Sequence, residues 1–326
     1  MITDMGMGDL MTEKERMELK KDGFFSVRDS DKLSVRFSSG GGYFTAEQMI
    51  ALGQMAQKFG NGRVVISSRL SAEVVEIDRA DMDEIKRQAD QAGLRRGLSG
   101  PRARTVTSCM GTYCVKGTYD TLALAREINE KYTVGQVDMM LPERFKICVG
   151  GCPNSCMKPS LNDFGIEGHM VPEYAPGKCR TCKVCQVKKH CPSDAISFCD
   201  GKVHVNTDLC QTCGICRRQC PFHVFREDPE TKYQIYLGGT WGRKSRMANR
   251  WPALIHREEI FPLLDRTLEW YRSNGEEHER FGFTIERLGF DRYLWDMGYQ
   301  KQEGNDDGRK EKRSQNQYAE LFQCNA

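Results

Sequence analysis

Three groups of cysteine crowd one part of the chain: "CVGGCPNSC" from Cys148, "CRTCKVCQVKKHCP" from Cys179 and "CQTCGICRRQCP" from Cys210. A further close pair, Cys109 and Cys114, stands upstream in "SCMGTYCVKG". The chain holds 15 cysteines, an odd number. Spacings of two and three residues dominate, and the polar N-terminal stretch lacks the apolar core of a secretory signal. Thiolates bound to a metal in a reducing cytoplasm are therefore expected, and disulfides are not.

Cys210, Cys213, Cys216 and Cys220, followed by Pro221, match the C-x2-C-x2-C-x3-C-P run of bacterial ferredoxins, where the fourth cysteine ligates the other cluster. Cys179, Cys182, Cys185 and Cys191, followed by Pro192, form a partner run with a longer last gap. One [4Fe–4S] cluster is assigned to Cys179, Cys182, Cys185 and Cys220, and a second to Cys210, Cys213, Cys216 and Cys191. Thiolate suits iron, and two intervening residues let successive sulfurs reach different irons of one cube. A pair of structural zinc sites is the competing reading, since C-x2-C also suits zinc. The third cysteine of each run and the two Cys-Pro endings weigh against it. Cys199 and Cys324 fall outside the pattern and read as plain thiols.

Cys152 and Cys156 follow a strand-like segment, "RFKICVG", and with Cys109 and Cys114 they fit a third cubane site drawn from two distant loops. Gly111, Gly150 and Gly151 would let backbone approach a bulky cofactor. Arg144 and Lys146 stand two apart on the same expected strand and so share a face. Cys148 reads as a strand residue.

The elements that must position these groups are legible in outline. Leu33, Val35 and Phe37 alternate with Ser34 and Arg36, as in a half-buried strand. Thr45 and Gln48 form a capping box for a helix that Gly60 stops. Two strands follow within "GRVVISSRLSAEVVEI", then a helix capped by Asp78 and ended by Gly93. The order β-α-β-β-α over residues 30–94 describes a small α+β sandwich. "ARTVTSC" is strand-like, "TYDTLALAREINEKY" helical, "YQIYLGG" strand-like and "EEIFPLLDRTLEWYRSNG" helical. Of the 326 residues 39% are hydrophobic and 29% charged, with a net charge of +3. That near-balance gives no pull toward nucleic acid or an anionic membrane. No apolar run reaches membrane-spanning length. "MGMGDLM" has Gly6 and Gly8 but Met11 where a dinucleotide fingerprint needs glycine, so reductant is expected from a partner.

Taken together, "CMGTYCVKGTYDT", "LPERFKICVGGCPNSCMKPSLNDFGIEG", the inserted cysteine block and "YLGGTWGRK" resemble the siroheme-containing nitrite and sulfite reductase family over residues 25–295. The likeness extends to the C subunits of anaerobic sulfite reductases and to dissimilatory sulfite reductase subunits. The resemblance implies an α+β fold: a ferredoxin-like module at 22–98, a siroheme/[4Fe–4S] domain at 99–172 and 229–298, and a two-cluster ferredoxin domain inserted at 173–228. A flexible lead-in (1–21) and a disordered tail (299–326) flank them. It also implies a third [4Fe–4S] cluster on Cys109, Cys114, Cys152 and Cys156, with Cys156 bridging to siroheme iron. The family spacing of the first pair is usually C-x5-C, one residue longer than here, and Cys148 is the candidate substitute if a ligand is displaced. By motif match Arg36, Arg104, Arg144 and Lys146 would bind the substrate anion, and Arg69, Arg243 and Lys244 siroheme carboxylates. The implied activity is six-electron reduction of sulfite to sulfide. Electrons would come from iron–sulfur or flavin subunits or a ferredoxin, in a homo- or hetero-oligomer. Nitrite reduction and a siroheme-free electron-transfer role are the alternatives.

Overall fold

The computed structural model describes residues 12–97, 99–136, 138–199 and 201–299. Residues 13–21, expected as loose lead-in, form helix α1 (Glu13–Lys21). The Thr12 hydroxyl accepts from the Glu15 N–H while the Glu15 carboxylate accepts from the Thr12 N–H, a reciprocal cap that lets a polar segment hold a helical turn. Residues 1–11 lie outside the described residues.

The first module adds β1 (Phe24–Ser26), β2 (Leu33–Ser38), α2 (Ala46–Phe59), β3 (Val64–Ile66), β4 (Ala72–Ile77), α3 (Met82–Gln91) and β5 (Arg95–Arg96). Its antiparallel sheet runs β1-β2-β4-β3, with β5 pairing β2. The alternation in β2 works as expected: Leu33, Val35 and Phe37 are fully buried. They meet Leu52, Met55, Ala56 and Phe59 of α2 and Ile85 and Ala89 of α3 in one core. Burying each large apolar side chain stabilises by roughly 1.5–3 kcal/mol. The capping box of Thr45 and Gln48 is present. Asp78 departs from expectation: it opens a single 3-10 turn, makes no side-chain cap, and takes the Lys32 ammonium instead.

The larger domain begins with β6 (Thr107–Ser108), α4 (Thr121–Ile128), β7 (Ile147–Gly150) and β8 (Phe164–Met170). A cysteine block then interrupts it with α5 (Gln186–His190), β9 (Ile196–Cys199) and β10 (Lys202–Val205). The domain resumes with β11 (Thr231–Leu237), β12 (Asn249–Arg250), α6 (Arg257–Asn274), α7 (Phe281–Leu288) and α8 (Phe290–Asp296). Its sheet order is β12-β11-β8-β7-β6, parallel from β6 to β8 and antiparallel beyond. The central strand β8, "FGIEGHM", is buried at every position. A strand covered on both faces shows no alternation, and its glycines and charged groups mask it further. Tyr299, assigned to the tail, packs edge-on to Trp251 at 5.3 Å and belongs to the fold; 300–326 lie outside the described residues.

Residues 173–228 pack around their own small core of Val187, Ile196, Val203, Val205, Val224 and Phe225. Cys179, Cys185, Cys191, Cys210, Cys216 and Cys220 pack against it. The two cysteine runs repeat a backbone signature. Thr181 and Thr212, each just before the second cysteine of its run, have φ of 50° and 51°. Asp194 and His223, each three residues after the Cys of the Cys-Pro pair, have φ of 52° and 51°. Left-handed backbone is uncommon for non-glycine residues, so its recurrence at matched places marks an internal repeat.

Candidate functional site

The first group of thiols sits where β6 and β7 end. Cys109 follows β6 and Cys152 follows β7, and the pairing of these parallel strands sets the two loops side by side. The Gly151 N–H donates to Cys109 Sγ at 3.2 Å, joining the loops directly. Burial pushes the Cys152 thiol up, and the nearby thiols of Cys109, Cys156 and Cys114 push it the same way. Cys152 is thus a near neighbour of the other three thiols. Cys114 and Cys156 are exposed. Among the described residues, no three His, Cys, Asp or Glu side chains close on one point at single-ion distance. Cys148 lies on β7, fully buried, its thiol pushed up to about 12 chiefly by burial.

The glycines stand at close approaches between protein segments. A Cβ on Gly111 would stand 2.6 Å from Thr121, one on Gly150 2.9 Å from Pro159, and one on Gly151 3.1 Å from Gly111. They let protein segments approach one another. The Cys152 loop also carries Ser155 and Lys158 in the left-handed region, at φ 54° and 53°.

A cationic cavity of about 240 Å³ is lined by Arg36, Arg69, Arg104 and Lys146 with Ser38, Ser67 and Ser71. Four cations far apart in sequence meet here, two from the first module and two from the larger domain. A second cavity of about 230 Å³ shares Ser68, Arg69 and Lys146 and adds Met157, Lys158 and Trp241. Lys158 and Trp241 lie within the quoted motifs "CPNSCMKPSLNDFGIEG" and "YLGGTWGRK" but were not singled out there as site residues. Burial pulls Arg104 down to about 10, and the charges of Arg144 and Arg36 add to the effect. Burial also pulls Lys146 down to about 8, reinforced by Arg280 and Arg69. Clustered like charges favour whatever anion enters between them.

Within this cluster the roles diverge. Arg36 is partly neutralised by Glu73, at 2.7 Å. Arg69 is committed to structure: its guanidinium donates to Thr105 O at 2.7 Å, Ile147 O at 3.1 Å and Asn162 Oδ1 at 3.2 Å, tying the first module to the larger domain. Its Nε is buried with no acceptor. Arg144 does not line either cavity and pairs with its neighbour Glu143 at 3.2 Å. The segment before Ile147 is held by a bridge from Ala103 to Phe145; Arg144 before it is exposed and Lys146 after it half-buried. Arg243 and Lys244 lie on an exposed loop outside both cavities, and Lys244 Nζ sits 5.8 Å over the Phe283 ring.

Two buried networks brace the site, and neither was expected from sequence. The Asp163 carboxylate accepts from the Lys146 backbone N–H at 2.8 Å and from Arg280 Nη2 at 2.6 Å. Farther along β8, His169 joins the Glu167 carboxylate at 3.1 Å and the Thr212 hydroxyl at 2.5 Å, while Tyr236 donates to the same carboxylate at 3.0 Å. Thr212 stands between Cys210 and Cys213, so this strand connects the sheet to the cysteine block. Burial pushes the Cys216 thiol up to about 12, with Cys210 and Cys213 adding to it. These three sulfurs, too, are near neighbours.

Comparison with known proteins now places the chain. Residues 99–305 match the nitrite and sulphite reductase 4Fe-4S domain, and residues 26–92 the nitrite/sulfite reductase ferredoxin-like half domain. The chain is 30% identical over 257 residues to the coenzyme F420-dependent sulfite reductase of Methanocaldococcus jannaschii, covering 78% of this chain but 40% of that protein. It is 25% identical to the C subunit of the anaerobic sulfite reductase of Salmonella typhimurium, over 67% of each chain. A crystal structure of dissimilatory sulfite reductase I superposes with a TM-score of 0.69 at 20% identity, covering 88% of this chain and 72% of that one. The expected resemblance and the α+β fold class are borne out: with a family match running through more than half its length, the chain belongs to the nitrite and sulphite reductase family.

Proposed function

We propose that the chain is the catalytic subunit of a siroheme-[4Fe–4S] sulfite reductase that carries three [4Fe–4S] clusters and works in the cytoplasm. The residues present fit those groups. Cys109, Cys114, Cys152 and Cys156 form a four-thiol donor set, and the two runs at 179–191 and 210–220 supply two more. The cavity lined by Arg69, Lys146 and Lys158 offers cations for carboxylates, while Met157, Leu161 and Trp241 offer apolar surface for a macrocycle. The buried Arg69 Nε without an acceptor suits an anionic occupant. When bound, siroheme with its coupled cluster supplies the multi-electron reduction, and the two further clusters supply electrons to it.

The chain's own part is recognition and protonation. Arg36, Arg104 and Lys146 draw sulfite into the cavity that all three line and offset its charge. Lys146, with its pKa pulled to about 8, can also release a proton near neutral pH as oxygens leave as water. Asp163 holds the Lys146 backbone and so fixes where that ammonium starts from. The meeting of four cations in one cavity, together with the Gly151 N–H that joins the Cys109 and Cys152 loops, supports the reading.

Iron and acid-labile sulfide counts with a visible spectrum test it. About thirteen irons per chain and tetrapyrrole absorption are expected; about eight irons without tetrapyrrole would leave only an electron-transfer protein. Turnover with reduced viologen on sulfite against nitrite then decides the substrate.

A further inference from the structure

The two cysteine runs face different ways. The second is turned inward: Arg217 Nη2 and Arg218 Nη1 each reach carbonyls of the loop that carries Cys114, Gly117 O and Val115 O, at 3.5 Å. Thr212 meets His169, and Met170 bridges Cys213. The first run is turned outward. Cys182 is exposed, and Val184 beside it is 62% exposed. Lys178, Arg180, Lys183, Lys188 and Lys189 are exposed within the same stretch, which contains no acidic residue. Some exposed cations elsewhere in the fold pair with carboxylates, as Arg226 does with Glu173 and Lys131 with Asp265. These five form no ion pair among the described residues.

Building on the cluster assignment above, we propose that residues 178–190 are the docking face for a soluble, acidic one-electron carrier protein. Unpaired ammonium and guanidinium groups around a thiol run raise the local concentration of an acidic partner and orient it. The exposed Val184 provides an apolar contact at the centre, where a carrier must exclude water to come close. Electrons then enter at the outward run and leave through the inward run toward the Cys109/Cys114 loop. The carrier is oxidised by one electron and the first cluster reduced by one, with no bond made or broken.

The test is stopped-flow bleaching of the chain's iron–sulfur absorbance by a reduced, acidic plant-type [2Fe–2S] ferredoxin, with reduced methyl viologen as a small donor that needs no docking face. In the full chain carrying Lys178→Glu and Lys183→Glu, the ferredoxin rate at low salt should fall at least about tenfold. The viologen rate should stay within about twofold, since viologen relies on no protein contact. The unaltered chain's ferredoxin rate should fall with salt, and the variant's should not. Equal ferredoxin rates in both chains, a salt-independent rate in the unaltered chain, or equal loss with both donors would overturn the docking face. Reduction by viologen but by no ferredoxin at any salt overturns it while leaving the clusters standing. A chain with no absorbance to bleach overturns the cluster assignment and the docking face together.

Discussion

Cys109 and Cys152 sit at the ends of strands backed by a core of 27 buried hydrophobic residues, whereas the thiols of residues 173–228 surround a core of six. In the first setting the sheet exists whatever the thiols bind: β6 to β8 pair through backbone, and Phe145, Ile147, Phe164 and Ile166 bury completely. In the second, the polypeptide alone has little to hold it. Small domains with small cores generally need metals or disulfides to fold. The difference teaches that one molecule can place its thiols by packing in one region and set them around a core too small to do so in the other.

Iron removal should break the comparison open. In a chelated, reduced chain, proteolysis is expected first within residues 173–228, at least about tenfold faster than in the larger domain. Mass spectrometry of the fragments reads this directly, and equal protection of both regions would contradict it. A buried charge in the sheet region should matter in the opposite sense. Asp163→Ala leaves Arg280 buried without its partner and should destabilise the larger domain by about 3–5 kcal/mol in urea titration. Asp208→Ala, on the exposed surface of the cysteine block, should stay within about 0.5 kcal/mol.

Within the cavity, Lys146→Ala should lower sulfite turnover by about 10²-fold with the visible spectrum retained. Arg144→Ala, which removes a half-exposed group already paired with Glu143, should cost less than about tenfold. The smallest effect expected is a pH dependence. Lys146 is charged below its depressed pKa of about 8 and neutral above it. Its contribution to anion affinity is therefore present at lower pH and fades as pH rises through that value. Lys146→Arg should flatten the fall in sulfite affinity across this window, and an unchanged profile would remove Lys146 as its cause.

Much of the first module could be read in advance, and for a plain reason. Its strands have one buried face and its helix α2 carries a complete cap, so period and punctuation survive in the residues themselves. The buried strand β8 could not be read that way, because a position covered on both faces carries no alternation. Arg144 and Lys146 looked equivalent at two-residue spacing. The structure separates them: Lys146 lines the cavity, its backbone N–H held by Asp163, and Arg144 pairs with Glu143 outside it. The glycines near the thiols were read as points where backbone approaches a cofactor; within the protein they approach Thr121, Pro159, each other and the Cys109 sulfur.

The sequence by itself determined the spacing of the thiols, the repeat of two cysteine runs and the family, since residue type and local spacing are properties of neighbouring residues. Only the tertiary structure decided that Arg36, Arg69, Arg104 and Lys146 share one cavity, that Arg69 also ties two modules together, and that one cysteine run faces inward and the other outward. Those facts depend on contacts between segments dozens of residues apart. Such contacts come from strand pairing and core packing across the whole chain, and no local pattern encodes them.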